Sequence, residues 1–426
     1  ILGDPETLEA QTKAVIRSKG LPHRFPRKVT VENSALPGDP ADPDFAGRKD
    51  LRELPFVTID GEKAKDFDDA VFARAVENGA MEVFIAIADV SHYVPLGSET
   101  DTEARLRGNS VYFPETVLPM LPERLSNGLC SLKPHKDRLS FTCQVLIDID
   151  GEPVEHQLYP SVIRSARRLT YKEVEEHLQG ENPLSRSGKG VLENLECLAK
   201  VHQRLEERRN RRSSLDFDLP EPEVVISATG QVEDIFRAKR YQSHRIVEEC
   251  MLLANEVVAR VLTGHDGPGV YRVHETPDPE KIRNANRLLA SLGFSLPPTP
   301  STPAPFRRVL EEGRGAPAER FLNTVILRSM MRARYSPEPL GHFALALKDY
   351  THFTSPIRRY ADLEVHRILK GILGITRSYA PENLDPLCAH ISETERQAEE
   401  AEREILAWLR TTFMADRVGQ SFSGVI

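Results

Sequence analysis

The stretch "TIDGEKAKDFDDAVF", residues 58–72, places Asp60, Asp66, Asp68 and Asp69 within ten positions of an apolar, strand-like segment. The runs around it, "PFVTID", "DDAVFARAV" and "MEVFIAIADV", are separated by turn residues such as "NGA", the pattern of antiparallel strands. In an extended strand Asp66 and Asp68 point to one face and Asp69 to the other, and Asp60 returns beside them if "GEKAK" turns. Carboxylates this close repel one another, and each buried charge costs several kcal/mol unless a cation or proton offsets it. A hard divalent metal is the natural compensation. Mg²⁺ takes oxygen ligands, keeps part of its water shell, and in pairs stabilises both the attacking and the leaving oxygen of a phosphoryl transfer. Phosphodiester hydrolysis is the leading reaction class on this reading. Calcium and a solvated acidic turn stay open beside it, although the spacing lacks the glycine and terminal glutamate of an EF-hand loop.

The 426 residues suffice for two or three ordinary domains, or for one large catalytic domain with attachments. Hydrophobic residues at 40% and charged residues at 28% point away from global disorder and from a membrane protein. The longest apolar run, "MEVFIAIADV", is too short to span a bilayer. A net charge of −8 argues against a polyanion partner in sum, yet the local stretches "RSARR", "RRNRR" and "RSMMRAR" can overrule it. They would line a channel or form exposed helix faces. The cysteines, Cys130, Cys143, Cys197, Cys250 and Cys388, show no zinc or redox spacing and are expected as buried thiols in a reducing cytoplasm. The chain opens on Ile1 without a signal peptide, which reads as a piece of a longer protein.

Residues 1–50 read as a helix and a Pro-rich loop that approach the domain beginning near Leu51 and pack on it. Val191, Leu195, Leu198, Val201 and Leu205 recur at helical spacing, and "RIVEECMLLANEVVARVL" is apolar almost all round, a buried core helix. "FTCQVLIDIDG" and "EVVISATGQVEDIFR" are further strand candidates, "LPPTPSTPAPF" (296–306) is a loop, and the mixture predicts an α+β domain. The closing "VGQSFSGVI" has the spacing of a strand that opens a small barrel.

Two helices carry further chemistry. In "HFTSPIRRYADLEVHRILKGILG", Ser355 suits an N-cap and Pro356 the first helical position, with Ile357, Ala361, Ile368 and Ile372 as the buried stripe. Arg358 and Arg359 then fall in the first turn, where cations are disfavoured; an anion such as a phosphate resolves this, or an Arg358–Asp362 pair accounts for one of them. In "ETERQAEEAEREILAWLRTTF", Glu402 shares a face with Ala398, Ile405 and Leu409.

With these residues in place, the chain closely resembles the ribonuclease II and ribonuclease R family of exoribonucleases, nearer to the ribonuclease R branch. The resemblance runs through "VTIDGEKAKDFDDAVF", "IAIADVSHYV", "RGNSVYFPETVLPMLPERLSNGLCSL", "RIVEECMLLAN" and "ALALKDYTHFTSPIRRYADLEVHR", in the family's order. It implies one large RNB catalytic domain over residues 51–416, with a mixed or antiparallel sheet surrounded by helices and a central RNA channel. Residues 417–426 would start a C-terminal oligonucleotide-binding barrel. Barrels missing before and after would reduce RNA affinity. The implied activity is processive, hydrolytic 3′-to-5′ degradation of single-stranded RNA with a free 3′ end, releasing 5′-nucleoside monophosphates. One or two Mg²⁺ ions are implied, with Mn²⁺ able to substitute, in a monomeric cytoplasmic enzyme of RNA turnover with no membrane partner. Asp60, Asp66, Asp68 and Asp69 would occupy the acidic positions that hold metal and the attacking water. Arg358 would meet the scissile phosphate, and Glu402 the 3′-terminal nucleotide. Tyr112 would stack on the terminal base, with Phe217 across the nucleotides. Tyr171 and Glu248 would lie near the ribose and terminal base, where contact with the 2′-hydroxyl separates RNA from DNA. Ala344 stands where the family more often has glycine.

Overall fold

The computed structural model describes residues 3–4, 6–181, 184, 188–217, 222–227, 230–265, 267–376, 379, 383–415 and 417–422. At its centre is a seven-stranded mixed sheet. Its strands are β1 (Lys49–Asp50), β2 (Val57–Asp60), β3 (Asp69–Ala75), β4 (Met81–Ala88), β5 (Asp137–Ile147), β6 (Pro153–Arg164) and β7 (Arg167–Thr170), in the order β1-β6-β5-β4-β3-β2-β7. The five inner strands, β6 to β2, pair antiparallel, as the alternating pattern anticipates for β2 to β4, and the two edge strands pair parallel. Every residue of β4 from Val83 to Ala88 is buried, so both faces of the sheet are covered at its middle.

Among the helices are α1 (Leu8–Ser18), α2 (Tyr171–Leu178), α3 (Lys189–Arg211), α4 (Gln242–Thr263), α5 (Pro279–Leu289), α6 (Ala304–Glu312), α7 (Glu319–Ser329), α8 (Tyr360–Ile372) and α9 (Asp385–Ala415). The predicted stripe of α3, Val191 to Leu205, is buried against β3 and β4. There Asn194 reaches the strand backbone, accepting from the Ala73 N–H at 2.8 Å and donating to the Val71 carbonyl at 3.1 Å. Helix α8 covers β5, where Phe141 meets Phe353 and His366. Helices α5, α6 and α7 close around a core of their own that includes Ile282, Phe306 and Ile326. Helix α1 packs on α9 in a third cluster, with Leu8 and Val15 against Ala398 and Ile405.

Several sequence expectations shift. Helix α8 begins at Tyr360, not at Pro356: the Arg358 and Arg359 N–H groups both return to the Ser355 carbonyl, closing a turn ahead of it. The end of "LPPTPSTPAPF" is the first turn of α6. "RRNRR" does not line a channel through its first members. Arg208 is buried and bidentate with Glu256 on α4, at 2.7 and 2.8 Å, and Arg209 is buried beside Glu249 at 3.1 Å. Residues 417–420 form a turn and 421–422 carry no strand; 423–426, which complete the barrel-like stretch, lie outside the described residues. All five cysteines are free, and four are buried. Among the described residues no helix is long and apolar enough to cross a membrane.

Just past α3, Ser213 sits in the left-handed region with φ at 61°, in the loop that carries Phe217. A side chain there costs about 1–2 kcal/mol, partly recovered because glycine has more unfolded freedom to lose. Ser213→Gly is therefore expected to stabilise the protein by about 0.5–1 kcal/mol, read as a higher urea midpoint with unchanged slope.

Candidate active site

Strand β2 ends on Asp60, and its parallel pairing with β7 sets Asp60 opposite Thr170. The next residue, Tyr171, opens α2 through a capping box: Thr170 Oγ1 accepts from the Glu173 N–H at 3.1 Å, and Glu173 accepts from the Thr170 N–H at 2.7 Å. Sheet register thus fixes Asp60 and Tyr171 as neighbours.

The connection from β2 to β3 is held in part by a buried hydroxyl. Ser131 Oγ accepts from the Phe67 N–H at 3.1 Å and donates to the Lys65 carbonyl at 2.7 Å. Asp66 and Asp68 lie in this irregular segment, and Asp69 is the first residue of β3. The strand alternation that would send Asp69 to the opposite face does not apply before β3, and all four aspartates line one cavity of about 440 Å³. The same cavity is lined by Tyr112, Tyr171, Glu248 and Arg358.

Asp68 is buried and accepts the Ile357 N–H at 2.8 Å, and Arg358 Nε lies 3.5 Å from its other oxygen. Arg358 also donates to Ser355 Oγ at 2.9 Å, while its side chain remains 45% exposed. Arg359 is bidentate to Asp362, both bonds at 2.8 Å, so the arginine taken up by Asp362 is Arg359 rather than Arg358. Arg358 is left facing the cavity.

Tyr112 comes from a short strand, Val111–Tyr112, tied to the same turn by a Ser110 N–H bond to the Arg358 carbonyl at 3.0 Å. Its hydroxyl donates to Asp66 at 3.2 Å, and its own N–H donates to Glu402 on α9 at 2.8 Å. Glu402 therefore braces Tyr112 from behind and does not line the cavity. Phe217 does not line it either; it packs against the core of α5–α7. Glu248 is linked to the Phe217 loop through Arg240, which bonds Glu248 at 2.8 Å and Asp216 at 3.1 Å. Ala344 touches that loop as well, its carbonyl accepting the Leu215 N–H at 2.8 Å.

Burial pushes Asp60 up to about 7, against the opposing pull of Arg168. Burial likewise pushes Asp68 up to about 8, although Arg358 pulls it down. Asp69 is raised well above the usual carboxylate range, by burial first and then by Asp60 and Asp68. Four aspartates and Glu248 line the cavity beside Arg358 and Arg359. Among the described residues no three His, Cys, Asp or Glu side chains are set to hold a metal ion as they stand. The donor set nevertheless fits Mg²⁺, which binds through one or two carboxylates and keeps several waters.

Sequence reasoning did not single out Tyr350, His352 and Asn255, and it noted Arg168 only as the end of the basic stretch "RSARR". Arg168 is fixed above Asp60's loop by bonds to the Gly61 and Glu62 carbonyls, and the others line the cavity. Asn255 ties α4 to the segment ahead of Arg358, donating to the Tyr350 hydroxyl at 3.2 Å and accepting the Phe353 N–H at 2.9 Å. The run "KDYTHF", directly before the arginine turn, was the available signal for two of them.

Residues 48–375 match the RNB domain family, and the chain belongs to that family. Within it, the chain is similar to ribonuclease R of Aquifex aeolicus, at 41% identity over all of this chain and 61% of that protein. It is 39% identical to ribonuclease R of Escherichia coli K12, over all of this chain and 54% of that protein. The chain thus spans between half and two thirds of these relatives' length. Among solved structures, ribonuclease R of Mycoplasma genitalium in complex with ribose-methylated single-stranded RNA superposes with a TM-score of 0.95 at 30% identity, covering 99% of this chain and 67% of that one.

Proposed function

We propose that this chain is the catalytic unit of a divalent-metal-dependent 3′-to-5′ exoribonuclease that hydrolyses single-stranded RNA to 5′-nucleoside monophosphates. The observation that carries the reading is the single cavity in which the four aspartates, Arg358, Tyr112 and Tyr171 converge. Asp60, Asp66, Asp68 and Asp69 would hold Mg²⁺, one ion or two, which supplies charge neutralisation at the phosphodiester and a more acidic water. Arg358, partly exposed and held at its base by Ser355, would meet a phosphate with its guanidinium. Tyr112 would stack on the terminal base, its ring angle fixed by Asp66 at one end and Glu402 at the other. Hydrolysis adds water across the last phosphodiester: the bond from phosphorus to the upstream 3′-oxygen breaks, and the phosphate leaves on the 5′ side of the terminal nucleotide. The same reading has residues 51–416 as the RNB domain, acting as a monomer in the cytoplasm, and the free cysteines suit a reducing compartment. A 5′-labelled single-stranded RNA incubated with the protein and Mg²⁺ should shorten in single-nucleotide steps; an RNA left intact would refute the reading.

Metal binding has a readout that needs no turnover. In the fold Asp60 and Asp68 keep protons to about 7 and about 8, against an ordinary value of 3.8. Their contribution to stability is therefore complete below 3.8, falls progressively as pH rises from there, and is fully lost above about 8. Above it the carboxylates are ionised and mutually repelling, and a bound cation relieves the repulsion without first displacing protons. Mg²⁺ is expected to raise the melting temperature by several degrees at about pH 8.5 and by much less at about pH 6. An equal shift at both values would place the ion elsewhere.

A further inference from the structure

Behind Tyr171 the cavity wall continues as a stack of rings. The His244 imidazole lies against the Tyr171 ring with centroids 3.9 Å apart and planes 19° from parallel. The Tyr241 ring is also nearly parallel to His244, with centroids 5.6 Å apart and planes 12° from parallel. Lys239 caps this ring, its ammonium 5.5 Å from the Tyr241 centroid.

The rings belong to two helix starts locked to one another. Ser243 Oγ donates to the Tyr171 carbonyl at 2.7 Å, and the Ser243 N–H donates to Glu175 at 3.3 Å. His244 Nδ1 accepts the Tyr241 N–H at 3.1 Å, so this nitrogen carries no proton and the ring orientation is set by the cap of α4. Burial lowers the His244 pKa, and Arg240 adds to the effect, which keeps the ring neutral as a stacking partner. His244 also stands one turn before Glu248 on the face of α4 whose Val247, Glu248 and Met251 line the cavity.

We infer that His244 is a positioning residue for ribose discrimination: its ring backs Tyr171 and fixes the plane that Tyr171 presents to the sugar of the terminal nucleotide. The inference rests on the proposed exoribonuclease reading, in which Tyr171 lies beside the ribose. A tyrosine joined to the backbone by two free torsions sweeps an arc, and a parallel ring at van der Waals distance removes that freedom on one side. Aromatic pairs of this geometry contribute about 0.5–1.5 kcal/mol, a factor of roughly 2 to 13.

The test compares wild type, His244→Ala, His244→Phe and Tyr171→Ala on two single-stranded RNAs that differ only in a 2′-hydroxyl or 2′-deoxy 3′-terminal nucleotide. His244→Ala is expected to lower kcat/KM on the all-ribose RNA about fivefold to tenfold while changing the deoxy-ended substrate by less than about twofold, so that discrimination narrows. His244→Phe, which restores a flat ring, should recover most of the discrimination. Adding His244→Ala to Tyr171→Ala should cost nothing further on either substrate. Equal losses on both ends, failure of phenylalanine to rescue, or additive losses in the double variant would overturn the inference and leave His244 a packing residue. A wild-type protein that cleaves neither RNA would instead refute the exoribonuclease reading. Melting curves identify any variant that fails to fold, and for such a variant His244→Gln, which keeps a planar group, is used in its place.

Discussion

Asp69→Asn is expected to abolish turnover on the order of a thousandfold in kcat while leaving the affinity for single-stranded RNA within about threefold. The substitution keeps the shape of the side chain at the first residue of β3 and removes only the charge. Its partners in the cavity, Tyr112, Tyr171 and Arg358, stay where they are, and these supply the proposed grip on the polymer. Stability should not fall. Burial and two neighbouring aspartates hold the Asp69 carboxyl well above the ordinary range, so a neutral amide removes repulsion rather than an attraction. The measurements are product release from labelled RNA with Mg²⁺, fluorescence anisotropy with EDTA, and a melting curve. Turnover at the wild-type rate would mean that the chemistry lies outside this carboxylate set.

Asp89→Asn should have the larger effect on folding, a loss of about 3–5 kcal/mol. Asp89 is fully buried at the end of β4 and accepts bonds from Lys370 on α8 and, at 2.8 Å, from Arg48 ahead of β1. Burial alone would raise its carboxyl, but Lys370 and Arg48 outweigh that and hold it far below the usual range. Removing the charge leaves two cations with low exposure facing an amide. Because Lys370 belongs to the helix that follows the Arg358 turn, activity should drop together with stability. Combining Asp89→Asn with Lys370→Met should recover part of the loss, since an apolar residue can replace a buried ion more readily than an ion can stand alone. A urea titration of the two variants decides this: equal midpoints would show that Lys370 is not the stranded charge.

The elements legible in the sequence were those with a period. Strands β2 to β5 and the buried stripes of α3 and α4 were visible because one face, or all faces, of each had to be apolar, whereas the long strand β6 gave no such signal. The start of α8 was not. Ser355 and Pro356 form a good start signal, but Asp362 draws the Ser355 N–H at 2.8 Å and closes a turn there first. The face of Asp69 was misjudged for a similar reason: alternation presumes a strand, and Ser131, more than sixty positions away, holds the segment in another shape. Arg208 and Arg209 show the remaining limit. As a run of charge they suggested a channel wall, and only the acidic residues of α4, remote in the chain, explain their burial. The aspartates, Tyr112, Tyr171, Glu248 and Arg358 do share a cavity. Glu402 supports Tyr112 from outside it, and Phe217 packs away from it on the helical core.

The parallel pairing of β2 with β7 divides the site into a part set by main-chain register and a part carried on a loop. Asp60 shares a rung of the sheet with Thr170, the residue directly before Tyr171, whereas Asp66 and Asp68 ride on a segment that leaves β2 at Gly61 and rejoins the sheet at Asp69. A residue inserted after Gly61 would therefore retune the carboxylates against one another while the span from Asp60 to Tyr171, proposed to lie beside the ribose, kept its length. In such a chain the gauge of the polymer end would be preserved even as the hydrolytic step was lost.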